Sequence, residues 1–349
     1  MNRKIIDQDI NSIINSCPEL MKLKNKKILI TGANGFIPAY MVETISLLNE
    51  DYGLGIEVYA LVRSETRAKN RFSHFLGKSW FNIIVQDVSD EIKIDASINY
   101  IIHAASQASP LYYKTDPVGT LLANTKGTYN ILEFARKNID SIDSVLFFSS
   151  AEVYGNLSND VQYVSENDFG PLNCSELRAC YAESKRMGET MCISWESQYS
   201  IPCKIVRIFH TYGPGMDLND GRVFADFVRS AVQGKNIEMK SDGSAIRAFC
   251  YLSDAIHAIF KVLLCGETST AYNIGNESCE VSIRSLAYSI NELSTNKKSA
   301  VIISGKDDNY IPSTVNRIVP NTEKLRALGW KPHYGIESGF ERTIDSYLD

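Results

Sequence analysis

Lys27-Ile28-Leu29-Ile30-Thr31-Gly32-Ala33-Asn34-Gly35-Phe36-Ile37-Pro38 is the stretch whose reading decides the fold. Its first five residues form a short apolar run, which predicts a buried strand. Gly32 and Gly35 follow as a turn, and a helix is expected from there through Leu48. One glycine permits the tight turn, and the next lets the backbone approach a pyrophosphate at the helix N-terminus. Gly32, Asn34, Gly35, Phe36 and Ile37 are therefore candidate contacts to a dinucleotide. Pro38 stands where a third glycine is usual, so the helix and strand must meet somewhat differently there.

The same alternation continues outward. Val58–Val62, Ile83–Asp87, Tyr100–Ala104, Ser144–Ser149 and Cys203–Phe209 read as further strands, with a long helix around Thr120–Lys137. Alternating strands and helices of this length indicate an α/β fold, a Rossmann-like doubly wound parallel sheet. Gly213-Pro214-Gly215 breaks the pattern, and helices are expected near Arg222–Gln233, Ser253–Leu264 and Ser282–Leu293. The expected organisation has three parts. Residues 1–25 form a helical extension, with its helix at Asp9–Leu23 packed outside the first domain. Residues 26–213 form the dinucleotide-binding domain. Residues 214–349 form a smaller C-terminal substrate-binding lobe, some segments of which return to the first domain.

Composition narrows the function. A chain of 349 residues with net charge -5 suggests neither nucleic acid nor an anionic membrane as partner. No apolar run is long enough for a membrane span. The N-terminus, Met1-Asn-Arg-Lys-Ile-Ile-Asp7, lacks the apolar core of a secretory signal. Eight scattered cysteines without a C-x-x-C pair read as reduced thiols of a cytoplasmic protein. Five dispersed histidines give a metal site no support. Local positive charge for a nucleotide diphosphate is available in Arg207, Arg222 and Arg247.

Two more clusters carry chemistry. Tyr181-Ala-Glu-Ser-Lys185 puts a phenol and an ammonium on one helix face. The ammonium is expected to lower the phenol's pKa, so that Tyr181 can act as a base on a sugar hydroxyl. Upstream, Ser149-Ser150-Ala151-Glu152-Val153-Tyr154-Gly155 reads as a strand end. The choice of dinucleotide is open at Val62-Arg63-Ser64. An acidic residue there would hold a ribose 2′-hydroxyl and favour NAD, whereas Arg63 could pair with the 2′-phosphate of NADP, stack on adenine or be solvated. Asp87 and Val88 are candidate adenine contacts.

With these residues in hand, the chain resembles the extended short-chain dehydrogenase/reductase family of nucleotide-sugar epimerases and dehydratases, from about Lys27 onward. His103-Ala104-Ala105, Asn124-Thr-Lys-Gly127, Arg207-Ile-Phe-His210-Thr-Tyr-Gly213-Pro214 and Tyr272-Asn273-Ile-Gly275 extend the resemblance. Ala108-Ser109-Pro110, Cys180-Tyr181, Asp220-Gly-Arg222 and Arg247-Ala-Phe249 draw it toward the UDP-glucuronate decarboxylases. The resemblance implies NAD as cofactor, a nucleotide-diphosphate sugar as substrate and a homodimer built on the two long helices, with Met187, Met191 and Trp195 as candidate interface residues. A place in polysaccharide synthesis is implied by association.

It also implies roles. Tyr181 removes the proton of the sugar 4-hydroxyl while hydride leaves carbon 4, Lys185 also holds the nicotinamide ribose, and Ser150 hydrogen-bonds the same hydroxyl. Ala104, Ala105 and Ser149 join the cofactor set. Glu152 matches a glutamate shared by decarboxylases and 4,6-dehydratases and is a candidate base after oxidation; a structural Glu paired with Asn or Arg is the other reading. Asn124 supports the site structurally. Ser109, Ala151, His210, Arg222 and Arg247 are candidate substrate contacts. Ala151 and His210 depart from the usual Ser or Asp and Asn, which keeps open an epimerase or a net 4-keto reductase. A non-catalytic nucleotide-binding protein is the remote alternative.

Overall fold

The computed structural model describes residues 2–158, 160–304 and 316–348; part of the expected C-terminal lobe, 305–315, lies outside them. In chain order, α1 (Arg3–Ser16) leads into β1 (Lys27–Thr31), α2 (Phe36–Tyr52), β2 (Glu57–Val62), α3 (Glu65–Arg71), β3 (Phe81–Val85) and β4 (Tyr100–His103). Then come α4 (Pro110–Thr115), α5 (Pro117–Asn124), α6 (Lys126–Lys137), β5 (Ser144–Ser150), α7 (Ala179–Tyr199), β6 (Cys203–Ile208) and β7 (His210–Tyr212). The chain continues through α8 (Val223–Val232), β8 (Ile237–Met239), β9 (Ile246–Tyr251), α9 (Leu252–Cys265) and β10 (Thr270–Ile274). It closes with β11 (Glu280–Ser282), α10 (Ile283–Glu292), β12 (Val301–Ile303), β13 (Arg317–Ile318), α11 (Glu323–Ala327) and α12 (Ile336–Asp345).

Seven parallel strands form the central sheet in the order β10-β6-β5-β4-β1-β2-β3. Strands covered on both faces must be apolar throughout, and Ile28, Leu29 and Ile30 of β1 are all fully buried. One core packs on one face around Ile28, Ile30, Val206 and α9, and another packs on the opposite face around Leu29, Ile101, Phe147 and Ile205. The sequence order reverses between β1 and β4. Loops diverge there above the strand ends and leave a crevice. β10 adds a seventh strand beside β6, and α9 packs against that sheet. A smaller sheet joins β7, β9, β11 and β13, and pairs His210 with Phe249 in register.

Two helices differ from expectation. The N-terminal helix ends at Ser16, and Pro18 opens a separate 3-10 turn to Leu23. Proline has no amide hydrogen for an interior turn and clashes with the carbonyl of the previous one. The long helix expected over Thr120–Lys137 is broken at Thr125. Side-chain hydroxyls of Thr125 and Thr128 bond back to the carbonyls of Leu121 and Asn124 at 2.7 and 2.6 Å, and such back-bonding bends helices.

The N-terminal helix does more than cover an outer face. Asp9 is fully buried and accepts from Tyr40 of α2 at 2.9 Å, Tyr251 of β9 at 2.7 Å and Arg342 of α12 at 2.7 Å. One carboxylate thus ties four elements together. Burial pushes its pKa up, against the pull of Tyr251 and Arg342. Removing one partner of a buried pair strands the other charge. Asp9→Ala is expected to cost about 3 kcal/mol, read as a lower urea midpoint of unfolding.

Candidate active site

The crevice above β1 and β4 opens into a cleft of about 1590 Å³ that runs from the glycine turn to the smaller sheet. Pockets for one drug-sized ligand hold about 300–1,000 Å³, so this one has room for two ligands end to end.

At the β1 end, Gly32 has φ +64, and a Cβ there would lie 2.9 Å from the Ala105 Cα. The turn therefore needs glycine for both its backbone angle and its close approach to the neighbouring strand. Gly35 is the N-cap of α2, with no side-chain cap on the first amides. Gly32, Asn34, Gly35, Phe36 and Ile37 all line the cleft. Pro38 sits in the first turn of α2, where amides have no intrahelical partner, so it sacrifices no hydrogen bond. Arg63, Asp87 and Val88 line the far wall. Asp87 accepts the Ser89 amide at 2.8 Å, and the field of Arg63 reaches Asp116.

Beyond β4, the Ala104 and Ala105 amides donate to Thr31 Oγ1 at 3.1 and 3.0 Å, which locks the two strand ends together. Ser106, next in line, has a buried hydroxyl without a hydrogen-bond partner among the described residues, and it lines the cleft. An orphaned hydroxyl beside an uncapped helix N-terminus fits a phosphate- and hydroxyl-rich ligand such as a dinucleotide.

Tyr181 and Lys185 enter from the first turns of α7, and both are buried. Lys185 Nζ donates to the Phe148 carbonyl at 2.6 Å and lies 5.8 Å from the Tyr181 ring centroid. The expected lowering of the phenol by this ammonium is not what the structure shows. Burial pushes Tyr181 up to about 12, and the Glu152 charge pushes the same way. A hydrogen bond from Ser150 and the Arg222 charge pull it back. Burial likewise pushes Lys185 down to about 7, against the pull of Glu189. For both groups desolvation of the charged form outweighs the pairwise field.

Ser149, Ser150, Ala151 and Glu152 line the cleft beside α7. Ser150 Oγ also accepts the Glu152 amide at 3.2 Å. Glu152 itself is paired with Arg178, 3.2 Å from Oε1 to Nη2. His210, Arg222 and Arg247 lie together at the other end of the cleft. Buried Nδ1 of His210 has no hydrogen-bond partner among the described residues, and burial with the two arginine charges pushes this imidazole down to about 3.

Several assignments land elsewhere. Ser109 is not in the cleft wall: its hydroxyl donates to the Asp220 carbonyl at 2.7 Å and its oxygen caps α4. Arg207 is also outside it, bound twice to Glu189 at 2.9 and 2.7 Å. Asn124 lies behind the site and donates to Ser184 of α7 at 2.9 Å. Tyr113, which no spacing rule singles out, stacks on Tyr181 with centroids 4.9 Å apart and planes 20° apart.

Comparison with known proteins fits this geometry. A sequence profile of the "NAD dependent epimerase/dehydratase family" matches residues 28–275. The chain belongs to that family. It is 34% identical over 93% of its length to UDP-glucuronic acid decarboxylase 1 of Xenopus tropicalis, covering 73% of that protein. It is 33% identical over 90% of its length to UDP-glucuronic acid decarboxylase 6 of Arabidopsis thaliana, covering 87% of it. Among solved structures, the fold superposes with TM-score 0.76 on UDP-glucuronic acid 4-epimerase of Bacillus cereus in complex with UDP-glucuronic acid and NAD, at 22% identity over 92% of this chain and 98% of that one. It superposes with TM-score 0.75 on dTDP-glucose 4,6-dehydratase of Bacillus anthracis in complex with NAD, at 21% identity over 92% and 96%. This member of the family is an NAD-dependent enzyme. The question raised by Arg63 is answered in favour of NAD.

Two outcomes test the site. Gly32→Ala should leave the purified protein without NAD, measured as cofactor released on denaturation, because the new Cβ meets Ala105. Lys185→Met tests the buried ammonium. In the folded state Lys185 loses its proton near 7 instead of 10.5, so the unfolded chain binds more protons between those values and wild-type stability rises across that window. The variant should be more stable than wild type below about pH 7, with the advantage shrinking toward pH 10.5. Parallel thermal melts across the window give the comparison.

Proposed function

We propose that the chain oxidises carbon 4 of a nucleotide-diphosphate sugar and then acts at carbon 5, as a UDP-glucuronate decarboxylase or a 4,6-dehydratase does. One observation carries this reading: the phenol of Tyr181, the hydroxyl of Ser150 and the carboxylate of Glu152 face one cleft whose other end is a dinucleotide turn.

NAD, when bound, takes up the hydride from carbon 4 and returns it. Gly32, Gly35 and the first amides of α2 would hold its pyrophosphate, Ser106 a ribose hydroxyl, and Asp87 and Val88 the adenine end. Lys185 lies between Tyr181 and the cofactor path. Tyr181 accepts the proton of the 4-hydroxyl, and Ser150 keeps that hydroxyl in line by bonding both it and the phenol. Stacking against Tyr113 restricts the Tyr181 ring. The 4-keto group then stabilises the electron pair left at carbon 5: in decarboxylation carbon dioxide departs and a proton from solvent replaces it, and in 4,6-dehydration the carbon 5 proton goes to a base while the 6-hydroxyl departs as water. Glu152, on the Ala151 side, is the carboxylate within reach of that carbon. At the far end, Arg222, Arg247 and His210 take the diphosphate; arginine forks suit it.

A second reading, an epimerase or net reductase, draws on Ala151, which offers no donor at the sugar, and on the engagement of Glu152 by Arg178. We further propose a cytoplasmic homodimer. All eight cysteines are free, and among the described residues no helix is long and apolar enough to cross a membrane. Val118, Leu121 and Leu122 of α5, Tyr129 of α6 and Met187 and Ile193 of α7 are exposed apolar residues, while Met191 and Trp195 pack partly against the core. Light scattering should return twice the chain mass.

Incubation of the NAD-loaded enzyme with UDP-glucuronate, followed by mass spectrometry, tests the reaction. Loss of carbon dioxide without net cofactor reduction supports decarboxylation; an isomer of unchanged mass supports the second reading. Tyr181→Phe should lower kcat by about 10²–10⁴-fold while NAD stays bound.

A further inference from the structure

Arg178 has a place that none of the roles above uses. It directly precedes α7, three residues before Tyr181, and its side chain lines the cleft on the Glu152 side. Among the described residues its contact with Glu152 is a single one, Nη2 to Oε1 at 3.2 Å, and not the two-point fork that guanidinium and carboxylate form at their strongest. The two side chains are 37% and 34% exposed toward the cleft. An ion pair this wet is weak and easily exchanged.

Three other cations that line the cleft have protein partners of their own. Lys185 is bonded to the Phe148 carbonyl. Arg222 is bonded to the Ala108 carbonyl and paired with Asp220, and Arg247 is bonded to the Ile246 and Asn316 carbonyls. Ala151 contributes no polar side chain. A sugar carrying a carboxylate would therefore meet Glu152, a like charge, with Arg178 as the cation beside it. Like charges brought together out of bulk water need such a counter-ion.

We propose that Arg178 selects an acidic sugar, exchanging its contact with Glu152 for the carboxylate of the substrate. The exchange also frees Glu152 from its contact with Arg178. A neutral sugar offers Arg178 nothing to exchange for. This deepens the reading of the cleft as a nucleotide-sugar site and rests on it.

Calorimetric binding of UDP-glucuronate and of UDP-glucose to the NAD-loaded enzyme tests the selection without turnover. Wild type should favour UDP-glucuronate. Arg178→Gln should weaken UDP-glucuronate by roughly tenfold or more, as expected for losing a charge-assisted contact, and move UDP-glucose far less. Arg178→Lys, which keeps the charge and loses the fork, should restore part of the preference. Retained NAD in both variants shows that they are folded. A preference unchanged in Arg178→Gln, an equal loss for both sugars, or a wild type without preference for the acidic sugar overturns the proposal. Turnover, followed separately by mass spectrometry, judges the nucleotide-sugar reading itself. A wild type that converts UDP-glucuronate while Arg178→Gln keeps the same preference sinks the role of Arg178 alone.

Discussion

The contact between the Gly32 turn and the backbone of Ala105 is the constraint on which the rest of the structure depends. The two strand ends approach so closely that a single Cβ would not fit between them. Thr31 holds that distance by taking both the Ala104 and Ala105 amides, and His103 fixes Thr31 in turn at 2.8 Å. His103 is itself bonded to Thr128 of α6 at 3.1 Å and is pushed down to about 3 by burial, so it serves as a neutral bridge. Because β1 and β4 are pinned together, their outgoing loops have to part, and the cleft is the space left between them. α2 then starts at the edge of that space with its amides pointing in.

A second polar web fixes the opposite wall. Arg207 is buried with Glu189, which also accepts from Ser149 at 2.5 Å. Arg207 reaches the Glu166 carbonyl and lies over the Tyr154 ring. A buried ion pair of this kind adds little net stability, because desolvating two charges offsets their attraction. Its effect is positional. It joins α7, which carries Tyr181 and Lys185, to β5, which carries Ser149 and Ser150, so the phenol and the hydroxyls are set by a group outside the cleft lining.

Much of this was legible beforehand, for a physical reason. The strand-turn-helix unit and the Tyr181–Lys185 spacing are local, and local periodicity survives folding. The seven strands of the central sheet follow the same logic, up to β10, which joins only because α9 leads back to it. What was not legible depends on partners distant in sequence. Arg207 looked like a diphosphate ligand until Glu189 was beside it. Ser109 looked like a sugar contact until the Asp220 carbonyl took its hydroxyl. Tyr113 and Ser106 carry no spacing signal, since a stacking face and an orphaned hydroxyl are defined by what surrounds them. The protonation of Tyr181 is set by burial, and helix spacing gives only the distance to a charge.

The last of these bears on how the base works. Burial in one dry pocket pushes the phenol up to about 12 and the ammonium down to about 7. The field of Lys185 therefore does not offset the cost of desolvating the phenolate. The groups that favour the phenolate here are the Ser150 hydrogen bond and the more distant Arg222, and the group that opposes it is Glu152. Any event that draws the Glu152 charge toward a substrate atom or cation therefore eases loss of the Tyr181 proton. The same carboxylate raises the phenol and is, in the reading proposed above, the candidate for the step at carbon 5. The two groups are therefore coupled through their shared field, and a change in the surroundings of one is felt as a shift in the other.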